Sequence, residues 1–259
     1  MSSTLFETLI QGLTGAFTSP GLFVLLGTCL LAGVVRGFSG FGSALIIMPV
    51  AGIFLPIPEA IVVVMGMGVL TWPVIVPRAA READRGQVAV LAGAAILAAP
   101  LGLWLLGWLP QSTLRWCVSG AAALTLAALV SGWRYGGRVR WPGLAGVGAA
   151  AGVLGGTTGL TGPPVILFYL AGPAGAAVVR ANTILFLALL DIAIIAGLFW
   201  QGRVTAGALW LALLLAVPYA LGITLGQRLF APERERAYRL LAYGVIALAI
   251  ASGLPIFHS

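Results

Sequence analysis

The sequence predicts an all-helical protein that crosses a membrane several times, built from two repeats inverted relative to one another. Three observations predict it. The 259 residues are 60% hydrophobic and only 8% charged, with a mean hydropathy of +1.07, a combination foreign to soluble domains of this length. Two glycine-rich stretches interrupt apolar runs: Gly37-Phe38-Ser39-Gly40-Phe41-Gly42-Ser43 and Gly155-Gly156-Thr157-Thr158-Gly159-Leu160-Thr161-Gly162-Pro163-Pro164. At an offset of 119 residues they superimpose. Gly33, Gly37 and Gly40 fall on Gly152, Gly156 and Gly159, and Ser39 falls on Thr158, keeping a hydroxyl.

In chain order, residues 1–18 read as a weakly amphipathic interfacial lead-in carrying Glu7. No basic residue precedes the first apolar run, so no cleaved signal peptide is expected. An apolar arm over 20–36 meets the first break, and a second arm runs from Ser43 to Leu55. Pro56-Ile57-Pro58 is a turn. A span over Glu59 to Pro77 follows, then a loop from Arg78 to Arg85, then spans at 87–109 and 112–132 separated by the Leu109-Pro110 turn. The loop from Trp133 to Pro142 holds three arginines and the boundary between repeats, drawn as 1–136 and 137–259 within one integrated transport domain. The second half repeats the order: an arm over Gly143 to Leu154, the second break, a short arm from Pro163 to Leu170, and spans at 181–200, 206–227 and 237–256. Pro100 and Pro218 lie at matching places, as do the Pro110 and Pro232 turns, once short insertions are allowed.

Glycine costs a helix about 1 kcal/mol per site and proline about 3, so neither stretch is expected to be uninterrupted helix. In a bilayer, broken backbone survives only where it lines a cavity or is buried in protein. Matching breaks in two halves point to a transporter's binding site.

The arginines set the topology. There are 14 of them and no lysine against 7 acidic residues; scattered singly or in small loop groups, they suit membrane topology and not nucleic-acid binding. With Arg36 set aside, single-crossing units would split them 7 against 6, which is no bias. If each arm–break–arm unit is a hairpin, 11 gather on one side and only Arg115 and Arg203 stay opposite. The positive-inside rule selects the hairpins, with the 11 in the cytoplasm and both termini in the periplasm. Each half then makes an odd number of crossings, which inverts the halves and lets the two hairpin tips meet inside the bilayer.

At each break a helix begins deep in the membrane, presenting unpaired N–H groups and the positive end of its dipole. Ser43 stands at an N-cap position; in the second half Thr161 or Gly162 does, and Pro163 takes the first helical position. Two such starts facing one cavity make an anion site. Ser39, Ser43, Thr157, Thr158 and Thr161 add hydroxyls, with Ser39 and Thr158 expected to share one ligand. Gly37, Gly40, Gly42, Gly156, Gly159 and Gly162 let backbone approach it. The competing reading is helix packing through small residues, which suits scattered glycines such as Gly93 and Gly146.

The two motifs, the halves and the length resemble the TauE/SafE sulfite-exporter family of bacterial permeases. The resemblance covers nearly the whole chain, and Gly155 through Pro164 is its more specific part. It implies secondary transport of small sulfur-containing anions, sulfite or a C2 sulfonate such as sulfoacetate, across the inner membrane. An anion channel, an uptake permease for thiosulfate or sulfate, and a non-transporting membrane subunit are the other readings. The expected partners are the small anion and the lipid bilayer; the oligomeric state stays open, a homodimer among the options.

Arg36 either supplies a planar cation to the ligand or snorkels to the surface. Asp191, alone in mid-span, either carries a proton or makes a structural hydrogen bond; beside an anion site a carboxylate repels the substrate unless protonated. Trp72 stands at its place in the other half, so the site is not symmetric. Asn182 and Thr183 line a vestibule or pack. Trp108, Trp133, Trp141 and Trp200 mark interfacial belts. Cys29 and Cys117 are read as buried packing residues. No cofactor or metal is expected, and no enzyme chemistry is expected either: the one histidine is His258, without Ser–His, Cys–His or metal-ligand spacing.

Overall fold

A computed structural model describes residues 11–132, 141–171, 175–229 and 235–257. The arginine loop at 134–140 with the repeat boundary, Trp133, the Pro232 turn, Glu7, His258 and both termini lie outside the described residues. A short helix, α1, covers 11–17. It is followed by α2 (Leu22–Ser39), α3 (Ser43–Phe54), α4 (Ile57–Glu82), α5 (Arg85–Trp108) and α6 (Gln111–Ser131). The second half holds α7 (Trp141–Thr158), α8 (Pro163–Ala171), α9 (Ala176–Trp200), α10 (Ala206–Leu229) and α11 (Glu235–Gly253). Among the described residues there is no strand.

Among the described residues, five helices are long and apolar enough to cross a membrane: Leu22–Ser39, Arg85–Trp108, Gln111–Ser131, Val178–Trp200 and Ala206–Leu229. The chain is a multi-pass membrane protein. Its outer surface is apolar, as lipid requires: Phe23 is 87% exposed and Leu97 84%. By contrast α3, with 12 residues, and α8, with 9, reach only about 18 and 14 Å at 1.5 Å per residue, too short for a hydrocarbon core of about 30 Å.

Both units fold back on themselves. The Phe54 ring at the end of α3 lies against Gly21, which precedes α2, so the first two arms share a base. In the second half, the Trp141 ring at the start of α7 lies 3.8 Å from where a Cβ on Gly86 would stand. Two residues away the Asp84 N–H donates to Asn182 Oδ1 at 2.7 Å, and Asn182 Nδ2 donates to Tyr169 Oη at 3.0 Å, near the end of α8. Those bases sit at opposite ends of α5. Gly86 opens α5, whereas Gly107 near its end meets Arg203, and Gln111 just beyond it bonds Ile57 N and Leu55 O, one turn from Phe54.

Glycines press each hairpin against a span of the other half. On α2, Gly33 and Gly37 face Tyr219, Gly222, Ile223 and Gly226 of α10; on α7, Gly148, Gly152 and Gly156 face Leu91, Ala95 and Ala99 of α5. In both pairs the numbers rise together, so the helices run parallel. At Gly152 an added Cβ would run into the Ala95 carbonyl oxygen, at Gly226 into that of Val34. Small residues let membrane helices gain van der Waals contact where no hydrophobic drive exists.

This packing corrects the breaks. Gly37, Phe38 and Ser39 are helical, as are Gly155, Gly156, Thr157 and Thr158; the true breaks are residues 40–42 and 159–162. Burial against a neighbouring backbone outweighs the glycine propensity cost. A Cβ added at Gly93 or Gly146 would meet nothing within 4 Å, so packing among the described residues does not explain them. α4 also continues past Pro77 to Glu82, helped by the Arg78–Glu82 pair at 3.0 Å, one turn apart. Pro58 belongs to its first turn, where proline is tolerated.

Gly152→Ala and Gly226→Ala should each destabilise the purified protein by about 1–3 kcal/mol, the usual cost of overpacking. Gly93→Ala and Gly146→Ala should be neutral. Thermal melts in detergent check this, and equal losses at all four positions would remove the close-packing account.

Candidate functional site

Each hairpin tip is made by a left-handed glycine. Gly40 (φ 80°) ends α2 and its N–H donates to Arg36 O at 2.8 Å. Gly159 (φ 74°) ends α7 and donates to Gly155 O, also at 2.8 Å. Only glycine takes this conformation readily, and it satisfies carbonyls that the helix end orphans. The paired hydroxyls do the same work in both halves. Ser39 Oγ lies 2.6 Å from Val35 O and accepts from Phe41 N; Thr158 Oγ1 lies 2.7 Å from Leu154 O and accepts from Leu160 N. They pin the tips through these local bonds.

Beyond the tips, the starts of α3 and α8 border one cavity of about 50 Å³. Of the residues singled out from sequence it gathers Arg36, Gly42, Ser43, Gly159, Thr161, Gly162, Pro163 and Asp191. Gly37, Ser39, Gly40, Gly156, Thr157 and Thr158 are not in its wall. Gly37 and Gly156 pack on α10 and α5, and Thr157 Oγ1 reaches Val153 O at 2.8 Å and Gly102 O at 3.2 Å. Phe41, Val64, Met65, Gly68, Ile166, Leu187 and Tyr219 complete the lining along with others.

Ser43 is not the cap of α3; Gly42 is, at φ 92°, and no side chain caps that start. The Ser43 hydroxyl instead accepts from Arg36 Nη1 at 3.2 Å and from Tyr219 Oη at 3.0 Å. Arg36 is therefore held at the cavity and does not snorkel. Elsewhere in the lining, Thr161 Oγ1 donates to Asp191 Oδ1 at 3.4 Å. The cavity thus lies between two broken helices and is lined by an arginine and two helix starts. The sulfite exporter TauE/SafE family matches residues 9–253. The chain belongs to that family. No curated protein and no solved structure matches it.

Family membership makes the chain a membrane transporter of the sulfur-anion class and gives the cavity its context. Sequence reasoning missed Tyr219 in the TauE/SafE chain. Its signal was a buried hydroxyl in an apolar span, which must find a partner. Gly68, facing Asp191 Oδ2, left no signal. Asn182 proved to tie α9 to the turn before α5 and to Tyr169, and Thr183 is buried. Among the described residues no three His, Cys, Asp or Glu side chains gather as metal ligands would.

The two starts also differ. Pro163 and Pro164 open α8 without N–H groups, while Ser43, Ala44 and Leu45 open α3 with them. Ser43→Ala and Tyr219→Phe should each weaken anion binding about 10-fold, the loss of one hydrogen bond to a charged ligand. Ser39→Ala should lower thermal stability and leave affinity unchanged. Titration calorimetry on purified variants distinguishes them, and the opposite pattern would move the site to the tips.

Proposed function

We propose that the cavity between the hairpin tips is the oxyanion site of a secondary transporter that exports small sulfur-containing anions, sulfite or a C2 sulfonate, across a bacterial inner membrane. The observation that carries this reading is that one cavity joins the α3 and α8 starts with Arg36, Ser43, Thr161 and Tyr219. The α3 start, which keeps its N–H groups, carries about half a positive charge, and Arg36 adds a whole one. Inside a low-dielectric bundle both act strongly on an anion. Export follows the membrane field: one negative charge moving outward gains about 2.3 kcal/mol per 100 mV when the interior is negative.

The two halves are read as inverted repeats, each a hairpin and three spans, with the arginine-rich ends in the cytoplasm and both termini in the periplasm. Two facts support it. The hairpin bases lie at opposite ends of α5, and a hairpin topology gathers 11 arginines of the sequence on one side against Arg115 and Arg203 on the other. Alternating access in such proteins works by one repeat rocking against the other.

Binding is tested by thermal shift of the purified protein against sulfite, sulfoacetate, taurine, thiosulfate and sulfate. Sulfite or a sulfonate should raise the melting temperature, and no shift with any of them would overturn the oxyanion site. Topology is tested by single cysteines at 84 and 203. They should label from opposite sides, and labelling from one side would remove the hairpins.

A further inference from the structure

The cavity has two chemically opposite walls, and the geometry points to a site that selects an oxyanion still bearing a proton, such as hydrogensulfite, over the fully ionised dianion. This rests on the reading of the cavity as the oxyanion site, and of that reading's two substrates it favours sulfite over a C2 sulfonate, whose sulfonate group bears no proton.

One wall supplies hydrogens. The Arg36 guanidinium is donor-only. Ser43 and Tyr219 are 4% and 2% exposed, and a single hydrogen lies in the 3.0 Å bond between their hydroxyls. The Arg36 N–H takes a further lone pair on Ser43. Whichever hydroxyl donates, the hydrogen of the other has no acceptor among the described residues. A buried hydroxyl hydrogen left so is costly, and both residues border the cavity. This wall calls for bare oxygen atoms.

The other wall supplies an acceptor. Asp191 Oδ1 already receives the Thr161 hydroxyl. Oδ2 faces Gly68 at 3.7 Å from where a Cβ would stand, so the missing side chain leaves its approach open, and no donor among the described residues reaches it. The neighbouring α8 start adds little, because Pro163 and Pro164 carry no N–H. The permanent charge of Arg36 in the same cavity is balanced by Asp191 as a carboxylate, and a carboxylate only accepts. It calls for a hydrogen.

A protonated oxyanion answers both calls at once. Its bare oxygens accept from Arg36 and from the Ser43–Tyr219 pair, and its hydroxyl donates to Asp191 Oδ2. A dianion would set an oxygen lone pair against the carboxylate, with repulsion and no hydrogen bond. Arg36 and Asp191 also cancel formally, so the site has no second positive charge for a dianion. The size agrees: at about 10–15 Å³ per water-sized position, 50 Å³ holds a small oxyanion. Rejection built from an unpaired group is how proteins discriminate between close analogues. Asp191 thus reads the proton on the substrate.

The test is calorimetric binding to the full-length protein in detergent, at a pH where sulfite solutions hold the singly protonated form. Sulfate is the dianion probe, and methanesulfonate is a monoanion with no hydrogen to donate. Wild type should bind sulfite at least 10-fold more tightly than either. In Asp191→Asn the preference over sulfate should shrink to about threefold or less, chiefly through tighter sulfate binding; Thr161→Val should keep it. The wild-type ratios need no variant to fold. Sulfate or methanesulfonate binding as well as sulfite, or Asp191→Asn retaining the full preference, would overturn the proton reading and leave the oxyanion site standing. Failure of all three anions to bind would overturn the site itself.

Discussion

Backbone-to-backbone contact between each hairpin arm and a span of the other half is the interaction on which the rest depends. Gly33 and Gly37 bring α2 onto α10, and Gly148, Gly152 and Gly156 bring α7 onto α5. Broken backbone in a bilayer must be covered by protein, and these contacts place full-length spans beside both tips. Because each half braces the hairpin of the other, the tips cannot be positioned independently. Tyr219 shows the coupling directly. Its carbonyl lies against Gly33 while its hydroxyl meets Ser43 across the cavity.

The two tips are built alike and furnished differently. Left-handed Gly40 and Gly159 end the arms, and Ser39 and Thr158 bond the carbonyl one turn back and the N–H two residues on. At the aligned positions around that frame the side chains diverge: Arg36 opposes Gly155, Ser43 opposes Gly162, and Asp191 opposes Trp72. Near-equal geometry with unequal chemistry lines the cavity with the Arg36, Ser43 and Tyr219 donors and the Asp191 carboxyl group. That polarity suits a substrate that has both kinds of group.

Composition and pattern alone determined that this is a helical membrane protein with two breaks, because lipid admits few alternatives to apolar helices and glycine and proline punctuate them strongly. The first break and the second short arm were legible to within a few residues, since left-handed caps need glycine and Pro163 can only open a helix. Arginine distribution called for the hairpins, whose arms do share their bases.

Tertiary structure alone decided which of the marked residues face the cavity. Ser39, Ser43, Thr158 and Thr161 look interchangeable in sequence. A hydroxyl on the last helical turn finds the carbonyl four residues back within reach, so Ser39 and Thr158 turn inward; Ser43, beyond the tip, instead meets Arg36 and Tyr219, the latter 176 residues away. Gly37 and Gly156 read as ligand-approach glycines until α10 and α5 were seen against them. Contacts between residues so far apart in the chain arise from how helices pack, and no local spacing encodes them.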